Sequence, residues 1–153
     1  MKNQRNILID QLDKKLKPFE GTEKVIVPDP GWIYSIRKSL NITLEQLAKK
    51  LKVTRQGIKK MEEREATGAI TLNALKEIGE ALNMKLVYGF VPVDGNIDQL
   101  IERKARELAT KIVLRTHQHM LLENQGVGDK QIENSIRNMT QQLKQELNRS
   151  IWD

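Results

Sequence analysis

The stretch Leu44–Glu63, LEQLAKKLKVTRQGIKKMEE, constrains this chain more than any other. Its apolar positions Leu44, Leu47, Ala48 and Leu51, then Ile58 and Met61, recur at the steps of helices that bury one face. Lys52-Val53 breaks the period. Thr43 and Thr54 stand just before the two stripes, where a hydroxyl accepts from the free amides of a first helical turn. Gln46, three residues after Thr43, has the spacing of a capping box. The sequence therefore predicts two short helices joined by a tight turn. Ile58 and Met61 fix the buried side of the second, so Arg55, Gln56, Lys59 and Lys60 fall outside.

Such a pair is a helix-turn-helix, and its outer positions point to duplex DNA. The first turn of a recognition helix enters the major groove. There a forked guanidinium grips guanine O6 and N7, and a carboxamide pairs with adenine N6 and N7. Arg55, Gln56 and Lys59 are the predicted base readers. Arg37, Lys38, Thr43, Lys52, Thr54 and Lys60 are the predicted phosphate contacts. Gly57 removes a side chain where helix and groove, or helix and helix, come close. Charge agrees: residues 37–60 hold eight basic side chains against one acid, Glu45, or +7. The total of +6 leaves the rest of the chain at −1. A localised basic patch is the footprint of a phosphate-backbone binder, whereas a charge run elsewhere is usually a solvated face.

The chain is long enough, at 153 residues, to bury a core, and it has no cysteine. Thiolate catalysis, Cys-ligated zinc and disulfides are excluded, which fits a cytoplasmic location. The start MKNQRNILIDQLDKK predicts no signal peptide, and no apolar run approaches a membrane span. Residues 1–30 read as an N-terminal helical arm with a short strand at Lys24–Val27. Its stripe is Ile7, Leu8, Leu12 and Leu16. Residues 31–95 read as the DNA-binding domain, with Trp32, Ile33, Ile36 and Leu40 inward in its first helix. Thr71 caps a later helix with Leu72, Leu75, Ile78 and Leu82 inward. Lys85–Val93 is β-prone and expected to pair with Lys24–Val27 or across a dimer. Residues 96–153 read as a helical hairpin for dimerisation or partner binding, with caps at Asn96 and Asp129. The expected fold class is mainly α: a five-helix phage-repressor-like domain, a short β-strand pair and a C-terminal helical hairpin.

The run Thr43-x-x-Gln46-Leu47-Ala48, Val53-Thr54-Arg55-Gln56-x-Ile58, Met61-Glu62 resembles the Cro/phage-repressor-type, xenobiotic-response-element-like helix-turn-helix family. Leu44 departs from it, standing where many members carry a Gln that braces the recognition helix. Gly31-Trp32-Ile33-x-x-Ile36-Arg37, Thr71-Leu72, Lys85-Leu86-Val87-Tyr88, Val91-Pro92 and Trp152-Asp153 look like the mobile mystery protein A family. That resemblance covers nearly the whole chain. It implies an antitoxin or regulator encoded beside a Fic-domain AMP-transferase. Fic enzymes of the antitoxin-regulated class are restrained by an inhibitory helix reading Ser/Thr-x-x-x-Glu-Gly/Asn. His119, Glu123 and Asn124 fit its end in part, with His119 in place of the hydroxyl residue. The alternative for Glu123 is an ordinary solvated helix-end acid.

The function expected is a DNA-binding transcriptional regulator, an autorepressing antitoxin paired with a Fic protein. The alternative is a protein-binding antitoxin that inhibits the Fic enzyme around Glu123. The expected partners are double-stranded DNA, a Fic-domain protein and a second copy of the chain. No catalytic residue, cofactor or metal site is predicted. His117 and His119 point to different sides of one helix, Asp10/Asp13 and Glu62/Glu63/Glu65 read as solvated carboxylates, and Trp32 reads as core. Trp152 either packs on the last helix or anchors a partner.

Overall fold

A computed structural model describes residues 2–122 and 128–153. The chain folds as two compact units. Glu23–Gly89 is one, and the segments on either side of it form the other.

The first unit holds four α-helices: α2 (Trp32–Ser39), α3 (Leu44–Leu51), α4 (Arg55–Thr67) and α5 (Leu72–Ala81). Three threonines start three of them. The Thr43 hydroxyl accepts from the Gln46 amide while the Thr43 amide donates to Gln46 Oε1, Thr54 accepts from Gly57, and Thr71 accepts from Ala74. The turn between α3 and α4 passes through Lys52 at φ +54, whose amide donates back to the carbonyls of Ala48 and Lys49. Ile33, Leu47, Ala48, Ile58, Ile78 and Leu82 form the core, with Ile36, Leu44, Leu51, Met61 and Leu75 packed around it. Leu47, Ile58 and Ile78 are fully enclosed, and each such side chain contributes about 1.5–3 kcal/mol. Three residues expected inside lie outside: Trp32, Leu40 and Leu72 are exposed, and Ile33 fills the core beside Trp32.

The second unit is a helical hairpin with additions. α6 (Ile97–Leu122) and α7 (Asp129–Glu146) run antiparallel: Lys144 pairs with Asp98 and Glu102, and Arg106 with Glu133. Ala105 and Ala109 are fully buried and let the helices approach closely. Ile101, Ile136, Leu143 and Ile151 complete the core. A 3-10 turn at Arg149–Trp152 tucks Ile151 in and leaves Trp152 exposed. α1 (Lys2–Leu16) packs Ile9 on this core, while the expected stripe residues Ile7, Leu8 and Leu12 stay exposed. The Asp13 carboxylate accepts from the Ile97 amide at 2.8 Å, so α1 caps α6. Asn96 caps α6 as well, accepting from Gln99. Asp129 does not cap α7. It is the first helical residue, after Gly128 at the cap.

The expected fold class is corrected in two respects. The unit expected to bind DNA has four α-helices, not five, and the described residues hold seven in all and contain no β-strand. Lys24 ends a 3-10 turn and Val25–Val27 is irregular, as is Lys85–Val93. Ile26 is 86% exposed and Val93 is 96% exposed. β-propensity expresses a fit to a pleated, half-buried surface, and neither segment has such a surface to lie on.

Candidate nucleic-acid interface

α4 carries the candidate reading residues because its other face is committed inward. Ile58 lies at the centre of the core, so Arg55, Gln56, Lys59 and Lys60 emerge on the open side, all exposed. Arg55, Gln56 and Lys59 line one recess of about 340 Å³, together with Leu44 of α3 and Tyr34 of α2. Leu44 and the Tyr34 ring make part of that recess apolar, which suits a thymine methyl group as well as polar base edges.

Thr43 and Thr54 sit at the N-termini of α3 and α4. Each hydroxyl oxygen accepts one backbone amide, at 3.0 Å in both cases, and its own hydrogen remains free to donate. Helix N-termini favour phosphate through their free amides and dipole. Lys52 and Lys38 are exposed, and the Lys38 ammonium stands 5.9 Å from the Tyr34 ring centre.

Arg37 is placed differently. It is 6% exposed. Its Nε donates to Glu62 Oε1, its Nη2 to Glu62 Oε2, and its Nη1 to the Ile42 carbonyl at 3.0 Å. Tyr34 lies under the guanidinium, 5.5 Å away. These donors are occupied inside the unit, so Arg37 braces α2 against α4 rather than facing a phosphate.

Two acids read as solvated therefore have structural work. Glu62 is 7% exposed and completes the pair with Arg37. Glu65 caps α2 from a distance: the Trp32 and Ile33 amides donate to its two oxygens at 2.9 and 2.8 Å. Gly31 makes room for this. A Cβ there would stand 2.8 Å from Glu65 Oε1, and its φ of +91 is one that only glycine adopts freely. The burial of these acids, though not their partners, is legible in the spacing. Ile58, Met61, Glu62 and Glu65 follow the i, i+3, i+4, i+7 steps of a buried face.

Gly57 has no second helix beside it. A Cβ would meet Thr54 Oγ1 at 3.3 Å and Val53, both from its own turn.

Residues 33–88 match a family model described as Helix-turn-helix. This part of the chain is a helix-turn-helix domain. Its family binds DNA, and the matched residues span α2 to α5. No curated protein and no solved structure matches the chain. Outside the domain, His119 is exposed on α6, and Glu123 and Asn124 lie outside the described residues. Among the described residues no His, Cys, Asp and Glu group could hold a metal, and no helix is long and apolar enough to cross a membrane.

Proposed function

We propose that the protein is a dimeric, sequence-specific transcriptional repressor that acts at its own operon. The observation that carries this reading is the exposed row Arg55, Gln56 and Lys59 at the opening of α4, in a domain of the helix-turn-helix family. Arg55 and Gln56 read base edges with Lys59 beside them. Lys38, Thr43, Lys52, Thr54 and Lys60 hold phosphates, and Arg37 leaves that set for the reason given above.

Binding to upstream DNA measured across a salt series tests it. Affinity should fall steeply, with a log–log slope of about −0.9 for each phosphate neutralised. Arg55→Ala should cost about 1–3 kcal/mol on the preferred site and relax the preference there. Lys60→Ala should weaken every sequence alike and reduce the slope by about one. A flat salt dependence would sink the reading.

A second role, restraint of a Fic-domain AMP-transferase, is supported by the His119…Glu123-Asn124 pattern and by the resemblance to mobile mystery protein A. Its measurement is AMP transfer by a neighbouring Fic protein in the presence of a Glu123→Gly variant. Suppression as strong as that by the parent chain would remove it.

A further inference from the structure

We propose that the groove between the distal halves of α6 and α7 is the surface that pairs with a second copy of this chain. The proposal rests on the dimeric reading above and gives it a location. The groove has a volume of about 640 Å³ and opens beyond the part of α6 that α1 caps. Of the chain as a whole, 30% is Asp, Glu, Lys or Arg. Among the described residues the groove has none of these four types in its lining. From α7 it takes Gln131, Asn134, Ser135, Asn138 and Gln142. They run for about three turns, or roughly 17 Å of helix. From α6 come Ile112 and Val113, and from α7 Met139, as an apolar floor.

This chemistry selects the occupant. A twofold interface sets the same patch against itself, so a lining of one charge sign would repel across it. Amides and hydroxyls both donate and accept, and so match themselves. A nucleic acid would want cations that the groove does not offer. Two antiparallel helices leave one side open, and a second hairpin closes a four-helix bundle.

Sedimentation of the full chain without DNA tests the proposal. The parent should be a dimer at micromolar concentration. Asn134→Asp with Asn138→Asp should weaken the dimer at least tenfold, since it sets like charges against each other. Asn134→Lys with Asn138→Lys should do the same, and mixing the two variants should restore dimers. Should either variant fail to fold, oxidation decides: in a chain without cysteine, Asn138→Cys should give a disulfide-linked dimer, and Glu107→Cys, exposed and outside the groove, should not. A monomeric parent, or a dimer indifferent to both charge pairs and uncrosslinked at position 138, overturns the proposal. Specific DNA binding by a monomeric parent would overturn the interface alone, and a dimer that ignores DNA would overturn the DNA reading alone.

Discussion

Arg37 and Glu62 form a buried charged pair inside the helix-turn-helix unit. Taking two ions out of water is costly, and their mutual hydrogen bonds offset it only while both are present. Glu62→Ala should therefore destabilise the chain by about 3–5 kcal/mol in urea denaturation. Arg37→Met combined with Glu62→Met should lose much less, because no buried charge is left alone. The double variant should also keep the parent's salt slope on DNA. A slope reduced by about one would return Arg37 to the phosphate contacts. Gly57 permits a separate comparison. Alanine favours a helix interior over glycine by about 0.5–1 kcal/mol, set here against slight crowding with Thr54 Oγ1. Gly57→Ala should leave the melting temperature unchanged or slightly higher while weakening DNA binding. Unaltered affinity would exclude a close approach of this residue to the groove.

At the scale of elements, the threonine caps were readable and strand pairing was not. Thr43, Thr54 and Thr71 act within three residues of themselves, so a local pattern suffices to find them. A strand needs an edge supplied from far along the chain, and Val25–Val27 and Lys85–Val93 receive none from the described residues. The caps supplied at long range by Asp13 and Glu65 were equally hidden. Asp13→Ala should cost about 0.5–2 kcal/mol, the range for a lost N-cap, and should speed amide exchange along α1. The hairpin also carries a pH dependence. The Arg103 hydrogen bond holds Glu107 below its ordinary 4.5, and the Arg106 hydrogen bond does the same for Glu133. A carboxylate with a lowered folded pKa stabilises the fold at neutral pH and loses that contribution as acid protonates it. Melting temperature should thus fall slightly below pH 4.5, and Glu133→Gln should flatten the fall. Both side chains are exposed, so solvent screening keeps the effect small.

At the scale of the whole molecule, the helix-turn-helix unit is inserted in the sequence between α1 and α6 of the other unit. In the proposed dimer, each copy brings one α4 to the duplex. Inverted half-sites centred about one helical turn apart should bind best, and five added base pairs should reduce affinity toward that of a single half-site. A gel-shift series over spacer lengths checks this, and indifference to spacing would argue for monomeric binding. Sequence alone determined the helix-turn-helix and the outward placing of Arg55, Gln56, Lys59 and Lys60 on α4, because apolar period, caps and turn are written within some twenty consecutive residues. Only the tertiary structure decided that Arg37 is spent inside the fold, that Glu62 and Glu65 hold α2, and that α1 serves the C-terminal hairpin. Each of these depends on a partner 25 or more residues away, and a one-dimensional pattern carries no signal of which distant groups will meet.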